Sequence, residues 1–238
     1  MIIMAKSFVN FWGALTSEEG SKQRAKNVLG PINKYYKNAK KVLELGVGIG
    51  TVLRHFPKKY DIYGLDVMKD YISKCKKNVP RGKYFVASMH NFKIPSKFDV
   101  IFCVYDSINF LKDFNQWKST FKSVFNHLNE KGLFIFDMYT PKALKDLKKW
   151  TAPTITPIKS VGYVYEKPII KGNTLFWDYR VFEKKKANKY ELNKYLWKEK
   201  IFSAAKVKKA LAEHFKILES RLFDKKRRII FMCRKKQR

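Results

Sequence analysis

The stretch Val42-Leu43-Glu44-Leu45-Gly46-Val47-Gly48-Ile49-Gly50-Thr51 constrains the fold more than any other. Residues 42–45 form a short apolar run bounded by glycine, as a buried strand does. Three glycines follow at spacing two, and residues 51–56 can open a helix that Pro57 stops. Strand, glycine turn and helix start make a cradle. Glycine lets the backbone take positive φ and approach a ligand, and a helix start offers unpaired N–H groups. The dinucleotide fingerprint is G-x-G-x-x-G. Here the glycines fall at 46, 48 and 50, and Thr51 stands where that fingerprint has its third glycine. The phosphate loop ending in Gly-Lys-Ser/Thr is absent. Glu44 repels a phosphate but suits a ligand carrying an ammonium group.

Residues 62–65 read as a second strand, with Asp66 at its carboxyl end, 20 positions after Gly46. A carboxylate there can accept both hydroxyls of a ribose. It can equally cap the helix expected over residues 68–78. Taken with the glycine turn, the ribose reading is the stronger.

VLELGVGIG (42–50), GLD (64–66), ASMHNF (87–92), FDVIFCVYDSINFL (98–111) and LNEKGLFIFDMYTP (128–141) together resemble the ordered motifs of class I S-adenosylmethionine-dependent methyltransferases. The final RRIIFMCRKK resembles that family's closing strand. The resemblance implies an α/β, Rossmann-like fold: a seven-stranded, mostly parallel sheet in three αβα layers, with an inserted antiparallel β lid. It implies S-adenosylmethionine as cofactor, leaving as S-adenosylhomocysteine. The implied cofactor-binding residues are Glu44, Gly46, Gly48, Gly50, Asp66, Val67, Ser88, Met89 and Val104. Ser88 stands where the family often has Asp against the adenine amino group, which weakens that contact or routes it through water. Met89 can cover the adenine face with a soft side chain. No metal site is implied.

VYDSINFL resembles the D-S-x-N segment of methyltransferases acting on small molecules, notably amines. That likeness puts Tyr105 and Asp106 near the transferable methyl. Asp106 then orients an amine or balances the sulfonium charge; alternatively it caps a helix. His90 is the third catalytic candidate, as a proton acceptor, or else a loop histidine without a catalytic role. The Asn/Asp-Pro-Pro-Tyr/Phe signature of many base-amine methyltransferases is absent. Cys103 has no preceding proline and falls within a strand pattern, so it reads as packing rather than as a nucleophile.

The chain divides into an N-terminal helical cap (1–39), a core (40–150), an inserted lid (151–203) and the end of the core (204–238). In the cap, Phe8, Phe11, Trp12 and Leu15 form a helical stripe, residues 17–20 interrupt it, and a second helix spans about 21–36. Phe11, Trp12, Tyr35 and Tyr36 either line the pocket or pack onto the core, and Arg24 is placed to meet a carboxylate. In the core, strands are expected at 83–87 and 98–104, a helix at 117–128 ending at Gly132, and a strand at 133–136. Asp137 and Tyr139 then leave the carboxyl edge as substrate-contact candidates. In the insertion, residues 175–182 alternate as a strand does, and 190–200 read as its antiparallel partner. Trp177, Tyr179, Arg180 and Tyr195 are the candidates for setting substrate choice; alternatively the sheet stabilises or dimerises the protein. A helix over 203–214, capped by Ser203, and strands at 215–222 and 228–234 complete the chain.

The net charge is +31, with 42 lysines and 9 arginines. Clusters such as Lys184-Lys-Lys186, Lys225-Lys-Arg-Arg228 and the C-terminal Arg234-Lys-Lys-Gln-Arg238 attract a polyanion. The preponderance of lysine favours a solvated surface, because arginine makes the specific phosphate and base contacts. Three cysteines without metal spacing fit a reducing compartment. No apolar run approaches the roughly 18 residues of a membrane span, and residues 1–6 lack the pattern of a secretory signal. The expectation is a cytoplasmic protein, monomer or homodimer. The best reading is methyl transfer to a small molecule, leaning to an amine nitrogen, because no convincing His–carboxylate pair stands ready to deprotonate an oxygen. Methylation of RNA or DNA and a non-catalytic binding module are the alternatives.

Overall fold

The computed structural model describes residues 9, 13, 15–158, 162–186 and 189–237. The aromatic stripe at Phe8, Phe11 and Trp12 lies outside the described residues.

Seven strands form one sheet: β1 (Lys41–Leu45), β2 (Asp61–Asp66), β3 (Lys83–Val86), β4 (Phe98–Cys103), β5 (Leu128–Tyr139), β10 (Phe215–Phe223) and β11 (Arg228–Lys235), in the order β10-β11-β5-β4-β1-β2-β3. The pairs among β1 to β5 are parallel, while β11 runs antiparallel to both β5 and β10. This is the expected mostly parallel α/β sheet. Successive residues point to opposite faces, so one strand feeds two cores. Leu43, Ile101, Cys103, Phe134 and Phe136 pack beneath α3 (Phe114–His127) and α5 (Ala204–Leu211). Val42, Val100, Phe102, Leu133 and Ile135 pack beneath α1 (Glu18–Tyr35) and α2 (Lys69–Asn78). Both sheet faces are therefore covered, as a parallel sheet requires.

The second sheet is wholly antiparallel, β6 (Thr154–Ile158), β7 (Gly162–Lys171), β8 (Thr174–Lys184) and β9 (Tyr190–Lys200), in that order. α4 (Pro141–Leu147) leads into it. Its inner face carries Leu175, Trp177, Tyr179, Val181, Tyr195 and Trp197, which pack with Ile49 of the glycine turn and Tyr71 of α2. The sheet thus closes over the cradle. Among the described residues no helix is long and apolar enough to cross a membrane.

Three local expectations change. The interruption expected over residues 17–20 is narrower: Leu15 is helical, Thr16 and Ser17 are not, and Ser17 Oγ accepts from the Gly20 amide at 3.0 Å to start α1 at Glu18, with Glu18 and Glu19 suiting the positive helix end. The glycine turn leads into a 3-10 turn, Leu53–His55, because Pro57 leaves too few residues for an α-helix. Gly132 does not cap α3. That helix starts at an Asp113 cap and ends at His127, and β5 begins at Leu128 with a register shift that bulges residues 129–132 out of the ladder.

Candidate active site

The glycine turn is pinned from beneath. Gly46 and Val47 both donate to the Leu65 carbonyl at 2.9 Å, tying the end of β1 to the end of β2. Asp66 then holds the turn from the side: one oxygen accepts from the Gly48 amide at 3.0 Å, the other from the Met68 amide at 2.9 Å. The residue capping α2 is Met68, without a side-chain bond, so Asp66 is no simple helix cap. Each of its oxygens retains a lone pair for a further donor. Gly48 has φ +53°, and nothing stands within 4 Å of where a Cβ would be, so this backbone faces open space. At Gly46, φ +70°, a Cβ would meet the Ser107 Cβ at 2.9 Å and the Met89 Sδ-methyl at 3.5 Å. The turn is therefore walled by Ser107 on one side and Met89 on another.

Glu44 is the electrostatic anomaly of this cradle. It is 3% exposed, and its Oε2 has no hydrogen-bond partner among the described residues. Burial pushes its carboxyl well above the ordinary range, and neighbouring Asp66 pushes the same way. Asp66 is also raised by burial, against the pull of the Met68, Gly48 and Val67 amides. A cation arriving beside Glu44 would satisfy a group that is otherwise costly to keep inside. Ser88 Oγ lies 2.6 Å from His90 Nδ1, which occupies one ring nitrogen of His90. Val67 is exposed and Val104 is buried at the end of β4.

Beyond Val104 the backbone is forced. Tyr105 has φ +59° and Asp106 φ +51°, two consecutive left-handed residues that are not glycine. Each such residue costs roughly 1–2 kcal/mol, so the surroundings must hold them. The Tyr105 hydroxyl lies 3.1 Å from Ser21 Oγ, and the Arg24 guanidinium stacks 3.5 Å above the Tyr105 ring. The Asp106 amide donates to Asp137 Oδ1 at 2.6 Å, and Arg228 Nη2 bonds both Asp106 and Asp137. Asp106 is buried and does not cap the 3-10 turn after it. Its carboxyl is pushed up to about 6, by burial first, with Arg228 opposing and Asp137 adding to the rise.

Three residues that matter here escaped sequence reasoning. Arg228, counted above with a surface cluster, is 6% exposed and holds two buried carboxylates. Asn109 is fully buried; its Nδ2 donates to the Lys200 carbonyl at 2.7 Å and its Oδ1 accepts from the Tyr139 amide at 3.1 Å, stitching lid to core. Glu199, on β9, is 2% exposed and accepts from Trp177 Nε1 at 3.1 Å. Other candidates lie elsewhere. Tyr36 bonds Asp99 at the opposite edge of the sheet, and Tyr35 bonds Glu219 on β10. Arg180 pairs with Asp178 on the outer face of the lid, the side opposite Trp177 and Tyr179. Asp137 is committed to the Asp106 amide and Arg228 rather than left free for a substrate.

A glycine turn, an acidic residue ending β2 and an acid-rich carboxyl edge occupy the crevice where ligands bind in open α/β sheets. Residues 42–132 match the family model described as a methyltransferase domain. That stretch makes up less than half of the chain. Among curated proteins, the Streptomyces venezuelae dTDP-3-amino-3,4,6-trideoxy-α-D-glucopyranose N,N-dimethyltransferase is 26% identical over 100 residues, 42% of this chain and 42% of that protein. The match thus spans less than half of this relative. Among solved structures, an S-adenosylmethionine-dependent methyltransferase from Clostridium acetobutylicum superposes with TM-score 0.79 at 19% identity, over 90% of this chain and 91% of the other. CalS10, an amino pentose methyltransferase from Micromonospora echinaspora solved with S-adenosylmethionine bound, gives TM-score 0.79 at 15% identity over 99% of both chains. The fold, lid included, is therefore that of class I S-adenosylmethionine-dependent methyltransferases.

Proposed function

We propose that this chain transfers a methyl group from S-adenosylmethionine to the amine nitrogen of a small molecule. The observation that carries the cofactor assignment is Glu44: a buried carboxyl without a partner, beside an open glycine turn, matches the ammonium of the cofactor's methionine end. In this reading Asp66 receives the ribose hydroxyls while continuing to hold Gly48. Gly46, Gly48 and Gly50 form the turn, with Val67 and Val104 as flanking apolar surface. Met89 and Ser88 border the adenine, and Arg24 on α1 meets the cofactor carboxylate. Residues 1–39 act as a cap and 151–203 as a lid over the core formed by 40–150 and 204–238.

S-adenosylmethionine supplies a methyl group already activated as a sulfonium, so the protein's task is positioning and exclusion of water. The lid's inner face of Trp177, Tyr179, Tyr195 and Trp197 excludes water above the carboxyl edge. Tyr105 and Asp106, fixed in an uncommon backbone conformation, orient the acceptor. An amine is favoured because the buried groups facing the site are mostly acidic: Asp106, Asp137 and Glu199 around one contacting cation among the described residues, Arg228. The names of the relatives, two of which act on amino sugars, support the same class. His90 is a weaker candidate for proton acceptance, since Ser88 engages its ring.

The basic surface supports nucleic-acid methylation less well. Arg54, Arg81, Arg227, Arg228 and Arg234 all bond partners within the chain, leaving lysine as the main exposed cation. The test is methyl incorporation from labelled S-adenosylmethionine into a panel of amino sugars, amino-sugar nucleotides and total RNA. Incorporation into an amine and not into its hydroxyl counterpart supports the reading. Incorporation into RNA alone overturns it.

A further inference from the structure

Where the lid meets the core, one group is left over. Glu199 projects from β9 on the same face as Tyr195 and Trp197. It is 2% exposed; Oε1 accepts from Trp177 Nε1, and Oε2 has no hydrogen-bond partner among the described residues. The bond from Asn109 Nδ2 to the Lys200 carbonyl, 2.7 Å, holds β9 against the 3-10 turn that follows Asp106, and the Glu199 and Asp106 carboxyls interact across that junction. Two carboxylates are both acceptors, and neither can donate to the other unless one is protonated. Among the described residues, three carboxyls, Asp106, Asp137 and Glu199, share this buried space with one contacting guanidinium, Arg228. Arg228 bonds Asp106 and Asp137, so Glu199 is the group that keeps the proton. Burial raises its carboxyl well above the ordinary range and Asp106 raises it further, with Arg228 opposing. Other polar neighbours include the phenols of Tyr139 on β5 and Tyr179 on β8, both raised by burial, the amide of Asn109, and Glu166 on β7, which is raised by burial and acts on Tyr179. Arg24 acts on Asp106 from α1. The pair also adjoins the cradle, since Asp106 precedes Ser107, which walls the glycine turn.

We propose that Glu199 on the lid and Asp106 on the core form the acceptor-amine subsite, exchanging a shared proton for the ammonium group of the substrate. The inference rests on the amine-methylation reading above and deepens it. On binding, the shared proton leaves to solvent and the ammonium N–H groups bond both carboxylates. During transfer one N–H bond breaks and its proton returns to Glu199. The freed lone pair forms the N–C bond, the C–S bond breaks, and its electron pair stays on sulfur. Ammonium, carboxylate and sulfonium become methylated ammonium, carboxylic acid and thioether, so charge balances. The base for the reaction thus sits on the lid, and an acceptor that has no cation leaves Glu199 protonated and idle.

The test is infrared spectroscopy of the full chain labelled at glutamate carboxyls, with methylammonium chloride as probe and potassium chloride as the ionic-strength control. Protonated-glutamate bands are assigned by their loss in Glu44→Gln, in Glu199→Gln and in Glu166→Gln, since Glu166 is also raised by burial. Saturation with methylammonium removes the Glu199 band in the wild type; potassium chloride does not. Absence of a band assignable to Glu199, or its persistence at saturating methylammonium, overturns the proposal. The wild-type spectra decide this even where Glu199→Gln folds poorly, since Glu44→Gln and Glu166→Gln leave the Glu199 band as the remainder. Calorimetry with S-adenosylmethionine on the same samples is expected to give equal affinity for wild type and Glu199→Gln. Loss of cofactor binding by the wild type sinks the methyl-transfer reading while the infrared result still judges the carboxyl pair.

Discussion

Glu44→Gln changes one charge at nearly constant shape, and the structure predicts opposite effects on stability and on cofactor affinity. In the ligand-free protein a buried carboxyl without a partner at Oε2 carries a desolvation penalty. A buried unpaired polar group typically costs about 1–3 kcal/mol, and a neutral amide avoids the part due to charge. The variant should therefore be more stable than wild type by about 1 kcal/mol at pH 8. The sign follows from the raised carboxyl. A group whose pKa is higher folded than unfolded holds its proton more tightly in the native state, so wild-type stability falls as pH rises from the ordinary carboxylate range through the raised value. Glu44→Gln removes that slope, and its advantage grows with pH. Cofactor binding moves the other way. Loss of a charge-assisted bond to an ammonium costs about 1.5–3 kcal/mol, roughly a ten- to hundred-fold weaker Kd. Wild-type affinity should rise with pH until Glu44 is ionised, with proton release on binding, while the variant's affinity stays flat. Thermal melts and calorimetry in buffers of different ionisation enthalpy read both effects. A variant that is less stable and binds S-adenosylmethionine as tightly as wild type would refute the reasoning.

Gly48→Ala should cost only about 1–2 kcal/mol of stability for a left-handed alanine, since no atom opposes the Cβ, yet should weaken cofactor binding at least ten-fold because the methyl enters the open cradle; calorimetry separates the two. Arg228→Met leaves Asp106 and Asp137 buried without their cation and should destabilise by about 3–5 kcal/mol. Its melting temperature should fall further as pH rises from 5 to 8, because Asp106, held at about 6 even with Arg228 opposing the rise, must then ionise without that cation. Asn109→Ala removes the stitch between Lys200 and Tyr139 and should raise protease sensitivity within the lid, at a cost of about 1–3 kcal/mol, with S-adenosylhomocysteine affinity reduced less than in Gly48→Ala.

The parts legible in the sequence are those whose physics is local. The glycine turn, the acidic end of β2, the capping of α5 by Ser203 and the pairing of β8 with β9 each follow from neighbouring residues. Alternation along β8 also separates Trp177 and Tyr179 from Arg180, although assigning Arg180 to the site overlooked it. The same period puts Glu199 beside Tyr195 and Trp197, the one sequence signal for this residue. Arg228 had no such signal. It stands in a run of basic residues, and its partner Asp106 lies 122 positions away in the chain. What distinguishes it from Lys225 and Lys226 is that β11 begins at Arg228 and pairs it with Tyr139, placing its side chain at the carboxyl edge. Only the sheet order brings that about. The left-handed pair Tyr105–Asp106 was hidden for a related reason, because its cost is offset by contacts with Ser21, Arg24, Asp137 and Arg228 from three distant elements.

The most direct measurement is calorimetric titration of the wild-type protein with S-adenosylmethionine and S-adenosylhomocysteine, with Asp66→Ala alongside. Saturable binding of both at one site per chain, weakened at least ten-fold by Asp66→Ala in a protein that keeps its fold, is the predicted result. A well-folded wild type that binds neither would contradict the account and leave a methyltransferase fold serving some other end.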